Sequence, residues 1–212
     1  MSAPRRDAGF WKRYAAYFLD ALLVNFASSV LTTILAPLLL ADLFGPMLAL
    51  LDPAAPPAIE DLQALMWALA DRAPWLAAVS LAAYVVLAWP YFALMESSAQ
   101  QATVGKLAVG IRVTDFEGRR IGFGRASARF FATTLSWLTL NLGHALAAWT
   151  PHKRALHDYV AGTRVENLDP TRPELPIWAL VLIILTVALF VLVALLPTLA
   201  LAYFLAVGTI EI

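Results

Sequence analysis

"FWKRYAAYFLD", residues 10–20, stands at the head of the first long apolar run, and its reading decides the fold. Directly behind it, Ala21 to Ala41 carries no ionisable side chain. About 20 helical residues cross a bilayer core, so this run is long enough to span. Three further runs lack charge over comparable lengths: Trp75–Met95, Phe130–Pro151 and Leu175–Ile210. Hydrophobic residues make up 61% of the 212 and charged ones 14%. Soluble proteins average roughly 45–50% apolar and about 25% charged, and a water-soluble fold of this length has no interior large enough for the excess. The composition therefore specifies an all-α integral membrane protein. There is no cysteine, which excludes disulfides, thiolate metal sites and thiol nucleophiles. The basic N-terminus lacks a small-residue cleavage site after a short apolar core, so the first run is read as retained.

Fifteen basic residues balance fifteen acidic ones, so their placement carries the information. Lysine and arginine gather on the cytoplasmic side of membrane proteins. Arg5, Arg6, Lys12 and Arg13 put the N-terminus on the cytoplasmic side. The outer loop, residues 42–74, has only Arg72 against Asp42, Asp52, Glu60, Asp61 and Asp71. Lys106, Arg112, Arg119, Arg120, Arg125 and Arg129 mark the next segment as cytoplasmic, and Lys153, Arg154, Arg164 and Arg172 follow the third run. If the third run enters and returns on one side, every basic residue but Arg72 is cytoplasmic. Asn141 and Gly143 near its middle are suitable turn residues, and broken helices are tolerated at membrane depth when protein covers them. The expected architecture is three spanning helices plus a re-entrant helical hairpin, residues 125–150. A fully spanning third run with an external basic loop is the alternative. Pro197 offers a break in the last run, placing its span at about residues 177–196.

Two elements are expected outside the bilayer. Ile59, Leu62, Leu65, Met66 and Leu69 recur at helical spacing, as in an amphipathic helix lying on the outer surface or packed on the spans. Leu107, Val109, Ile111 and Val113 alternate with smaller or polar residues, the period of a strand. With a turn at Asp115–Gly118 and "RRIGF" returning, this predicts a small cytoplasmic β-hairpin within residues 105–124, to which "GTRVE", residues 162–166, is a candidate third piece. Arg125 and Arg129, one helical turn apart, are expected to contact lipid phosphates.

"RYAAYFLD", "ESSAQQATVGKLAVGIRVTDFEGRRIGFGRASAR" and "PHKRALHDYVAGTRV", in that order, resemble the RDD family of bacterial membrane proteins. The family is named for one arginine and two aspartates, which the matching motifs put on Arg13, Asp20 and Asp158. The resemblance covers the chain to about residue 167, and typical members end soon after "HDYVAGT". Residues 1–167 are thus expected to form one membrane unit, and residues 168–212 an additional helix and tail. Most members have no assigned activity. Some are associated with cation/proton antiport, and members often accompany other membrane-complex genes.

Arg13 and Asp20 share a helix face about 10 Å apart along the axis, too far for direct pairing. Asp158 is the candidate partner for Arg13, and Lys106 or the 152–154 segment for Asp20. Ionisable groups at membrane depth are costly and so are functional candidates; a clamp between helix one and the cytoplasmic loops explains the same pattern. Glu96, a carboxylate at a helix C-terminus, calls for a cation: Lys106, or a bound ion sharing Ser97, Ser98 and Thr103. His157 and Asp158 are adjacent and are a candidate proton-exchanging pair.

Other chemistry is excluded. "ATVGK" lacks the glycine and hydroxyl spacing of a phosphate-binding loop, and no nucleophile elbow is present. His144, His152 and His157 have no metal-ligand spacing. No enzyme, cofactor, metal or nucleic-acid partner is expected. The leading reading is a small transporter-like protein exchanging a monovalent cation for protons, lined by Asp20, Asn25, Glu96 and Asp158 and held by Arg13. The rival is a non-transporting accessory or scaffold subunit of a membrane complex. In either case the chain is expected to form a homodimer and to meet lipid and other membrane proteins.

Overall fold

The computed structural model describes residues 7–52, 54, 56–172 and 174–208, with side chains of 190, 194 and 197–208 left aside. Arg5, Arg6 and the last four residues lie outside that range. In chain order, helix α1 spans Phe10–Leu35, and the short turns α2 (Pro37–Leu40), a 3-10 turn (Ala41–Leu43) and α3 (Phe44–Ala49) follow it. Helix α4 is Ile59–Glu96, α5 Val104–Ala108, and strand β1 Ile111–Thr114. Then come α6 (Phe123–Leu138), α7 (Leu142–Trp149), α8 (Leu156–Ala161), β2 (Arg164–Asn167) and α9 (Ile177–Gly208).

Two helical stretches are long and apolar enough to cross a membrane among the described residues, Phe10–Ala49 and Ile59–Glu96, and α9 is apolar over Ile177–Val193. Side-chain placement is inverted relative to a soluble bundle. On α1 the buried positions are Lys12, Ala15, Ala16, Asp20, Val24 and Ser28; on α4 they are Ala83, Ala88, Ala93 and Glu96. Leu22, Leu23, Phe26, Val30, Leu81, Val86, Trp89 and Leu94 face outward. Small residues let backbones approach where lipid, as apolar as leucine, offers no hydrophobic drive between helices. The surface amphipathic helix expected near residue 59 is not a separate element. Its residues are the first turns of α4, which runs through Pro74 and Pro90 for 38 residues, about 57 Å. Much of the expected outer loop, residues 42–74, is accordingly helical. Likewise α9 continues past Pro197 without the expected break.

The expected strand begins later than its alternation suggested, because Val104–Ala108 winds into α5. The β-hairpin expected within 105–124 is also corrected. β1 pairs antiparallel with β2, Ile111 opposite Asn167 and Thr114 opposite Arg164, not with "RRIGF". A strand has two edges, and here β2 holds one. On the other, the Val113 N–H donates to the Gln101 carbonyl (2.7 Å), and the Gln101 amide donates back to the Val113 carbonyl (3.2 Å). Ala8 extends β2, its N–H donating to the Val165 carbonyl (2.9 Å). Beneath the helices, Ile111, Val113, Ile121 and Val165 form the buried core with Ala15, Ala16, Ala93 and Ala126.

Helices α6 and α7 are joined by a turn in which Leu140 and Asn141 adopt left-handed conformations (φ 52° and 65°). Gly143 packs so closely on Ser136 that an added Cβ would meet its Oγ at 2.6 Å. Arg154, after α7, lies 4.3 Å over the ring of Phe116, which precedes α6, and 4.2 Å over Tyr159.

Candidate functional site

At the end of the bundle where α1 begins and α4 ends, six ionisable side chains form one chain of alternating charge. Arg13 on α1 donates from Nη1 to Asp158 Oδ2 at 2.5 Å. Asp158 Oδ1 accepts from Nε and Nη2 of Arg129 at 3.1 and 3.0 Å. The remaining Arg129 nitrogen, Nη1, donates to Glu96 Oε1 at 2.6 Å. Lys106 Nζ lies 3.0 Å from the same Oε1 and 4.0 Å from Asp20 Oδ2. Three cations face three carboxylates, so the cluster is neutral while joining α1, α4, α5, α6 and α8. Such sharing matters, because an unpaired buried charge is strongly destabilising.

Each carboxylate is also fixed by its local fold. Asp158 is the third residue of α8 and reaches back to the Ala155 N–H (2.9 Å), so it caps its own helix while holding two arginines. Asp20 is fully buried. It accepts from the Tyr91 hydroxyl (2.7 Å), the Thr103 hydroxyl (2.5 Å) and the Gly105 N–H (2.7 Å). A carboxylate of α1 therefore occupies the start of α5, where exposed N–H groups favour negative charge. Only glycine fits at 105. A Cβ there would stand 2.2 Å from the Ala16 carbonyl and 2.9 Å from the Asp20 carboxyl.

Burial raises the cost of charge on Asp158, but Arg13 and Arg129 outweigh it and hold this carboxyl well below the usual range. His157, beside it, is pushed down to about 3, first by burial and then by Arg129, His144 and Arg13, against the pull of Asp158. Its ring is therefore neutral near pH 7, and the His157–Asp158 pair is not poised for proton exchange there. Its Nδ1 stands 3.5 Å from the Ser136 hydroxyl.

The structure brings Arg13, Asp20, Glu96, Lys106 and Asp158 together, with His157 at the edge. Asn25 is not with them; it is exposed, and its amide donates to the Ala21 carbonyl of its own helix (2.7 Å). Arg129 is corrected more sharply: only 6% exposed and bonded to two carboxylates, it has no face for a lipid phosphate. Arg125 is half exposed and stands 4.0 Å from Asp115. Ser97 and Ser98 donate to the carbonyls of Leu94 and Met95, and Thr103 donates to Asp20, so these hydroxyls are not gathered around Glu96 as ion ligands. No local signal in the sequence marks Tyr91 as a partner of Asp20, and Gly105 stands out there only as the glycine of "ATVGK". Arg129 had one: it interrupts a stripe of small residues, Ala126, Ala132 and Ser136, all buried on one face of α6.

The RDD family model matches residues 7–162. The chain belongs to the RDD family. Together with its two apolar helices, this membership marks a membrane protein. The RDD chain is also similar to the uncharacterized protein YxaI of Bacillus subtilis (strain 168), 27% identical over 160 residues, which cover 76% of this chain and 97% of that one. No solved structure matches it. Arg13, Asp20 and Asp158 all lie inside the matched residues, whereas α9 follows them.

Proposed function

We propose that this RDD protein is a multi-pass protein of the bacterial cytoplasmic membrane that acts as a non-transporting accessory or scaffold subunit, with its charged cluster as the clamp. One observation carries this reading: each carboxylate of the cluster is buried and already satisfied by a cation or by several donors. A group that exchanges ions needs a vacant coordination side; Asp20 and Asp158 are fully buried with both oxygens bonded, and Glu96 holds Arg129 and Lys106. The proposed topology has three spans, α1, α4 and α9, with α6–α7 re-entering from the cytoplasmic side. In support, α7 has eight residues, about 12 Å, far short of a core near 30 Å. Arg72 pairs instead with Asp42 after α1, away from the other basic residues. The inside position of Lys153 is testable by cysteine substitution and labelling with an impermeant reagent in intact cells. Labelling from outside would overturn the re-entrant topology. A homodimer is the proposed assembly, and crosslinking in native membranes measures it.

A second reading, exchange of a monovalent cation for protons, has a specific observation in its favour. Lys106 Nζ stands between Glu96 and Asp20, with the farther contact only 4.0 Å, so a small cation entering there would take the place of the ammonium. Reconstituted liposomes separate the two readings. The scaffold reading expects no cation-dependent proton flux, with Asp20→Asn lowering the yield of folded protein. Flux that disappears in a well-folded Asp20→Asn protein would replace it with exchange.

A further inference from the structure

Asn25, Ser29 and Thr33 recur at every fourth position of α1, and all three are exposed. They are turned away from the side of the helix that Asp20, Val24 and Ser28 bury against the bundle. The seam lies at membrane depth. Asp20 belongs to the charged cluster and Asp42 to the ion pair at the far end, about 33 Å along the helical path, which matches a hydrocarbon core near 30 Å. Asn25 to Thr33 occupy the part from about 8 to 20 Å past Asp20. Lipid tails offer these groups no hydrogen bond, and an unpaired polar group there is costly. One N–H of the Asn25 amide donates to the Ala21 carbonyl (2.7 Å). Among the described residues, its Oδ1 and the hydroxyls of Ser29 and Thr33 have no partner in the chain. Other hydroxyls in the long helices are settled locally: Ser80 on α4 and Thr186 on α9 each donate to the carbonyl four residues back at 2.8 Å.

From this seam we infer that α1 packs against α1 of a second copy, with Asn25 paired to its own counterpart. The inference rests on the homodimer proposed above and names the face that it uses. Copies inserted with one topology share one orientation, so their two-fold axis runs along the bilayer normal and sets like residues at like depths. An amide carries both donors and an acceptor, so Asn25 is complementary in partial charge to itself: the free N–H of each donates to Oδ1 of the other. Ser29, one turn on, is small enough for two backbones to approach, and Thr33 adds a further hydroxyl. Helices associate in lipid through such small and polar residues, because apolar surface alone gives them no preference for one another. No charge between Ala21 and Ala41 opposes the pairing. Leu22 and Phe26, 53% and 72% exposed, flank the seam and supply its apolar margin.

The chain has no cysteine, so single cysteines report contact directly. In isolated native membranes treated with copper phenanthroline, Leu22→Cys and Ser29→Cys should form disulfide-linked dimers. Ala27→Cys and Ile34→Cys, exposed on another side of α1, should not. Full chains carrying one fluorophore each, diluted in liposomes, read the dimer independently as two-step bleaching. Asn25→Ala should weaken that dimerisation by about tenfold, and Asn25→Gln, which keeps the amide, should lose less. Within the chain Asn25 bonds only its own helix, so both variants keep their fold. Two-step bleaching without the Leu22→Cys and Ser29→Cys disulfides moves the homodimer to another face and overturns this inference alone. Single-step bleaching of the unmodified sequence removes the homodimer as well. A dimer fraction unchanged in Asn25→Ala overturns the pairing, and so does a Ser29→Cys disulfide to a different membrane protein, which assigns the seam to that partner.

Discussion

The two ends of the helical bundle each carry an arginine–aspartate pair, and they are not equivalent. Arg72 meets Asp42 at the far end of α1, with side chains 24% and 63% exposed. Arg13 meets Asp158 at the near end, with side chains 12% and 0% exposed. Water solvates the first pair in its broken state, so forming it gains little. The second pair has no water to return to, and its carboxylate also holds Arg129 and the Ala155 N–H. Removing one partner there strands the others. The same two residue types are thus ornament at one end and structural necessity at the other, and burial makes the difference.

Replacing the buried aspartate gives the largest expected effect. Asp158→Ala leaves Arg13 and Arg129 facing each other, a loss of about 3–5 kcal/mol, visible as a collapsed melting temperature and aggregated protein in detergent. A melt within a few degrees of wild type would show that water reaches the cluster. Gly105→Ala attacks the same end without altering charge. Its Cβ has no room beside the Ala16 carbonyl and Asp20, so a loss of about 1–3 kcal/mol is expected from the same measurement.

Acid should weaken the near end selectively. Both relevant groups have folded pKa values below their unfolded ones, so stability is full above the unfolded value and is lost as pH falls. For His157 the window runs from its ordinary 6.5 down to about 3; for Asp158 it lies below its ordinary 3.8. Melting temperatures measured from pH 7.5 to 4 should therefore decline on the acid side, and His157→Gln should flatten that decline. An unchanged slope in the variant would remove His157 from the explanation. Asp42→Ala, the matching change at the exposed end, should cost less than about 1 kcal/mol. Asn25→Ala should stay within about 0.5 kcal/mol, because its amide is exposed and bonds only its own helix.

How much of this was legible in the sequence follows from the range of the forces involved. Apolar length is a local property, so the runs that became α1, α4 and α9 could be read directly, as could a turn at Asn141, although Gly143 lies within α7. The Arg13–Asp158 pairing came from the resemblance to a family; spacing alone left the partner open. Arg129 was misjudged because proximity to a helix start suggests a lipid surface, whereas α6 turns that residue inward along a stripe of alanines. The partner of β1 was misjudged for a related reason. "RRIGF" is near in sequence, but Asp115 accepts from the N–H groups of Glu117 and Arg119 and closes the turn on itself (3.0 and 2.8 Å). One edge of β1 is then taken by β2, which follows α8, and the other by Gln101, 12 positions before Val113.

By itself, then, the sequence determined that the chain is membranous, where its long helices lie, and that its basic residues gather in a few segments. Those outcomes depend on hydrophobicity summed over neighbouring residues. Only the tertiary structure decided which charges meet. Pairing inside low-dielectric surroundings depends on angstrom-scale approach between segments up to 145 positions apart, as for Arg13 and Asp158. The stretch "FWKRYAAYFLD" contributes an arginine and an aspartate to the cluster, and neither touches the other. Each is held by a partner that folding delivered.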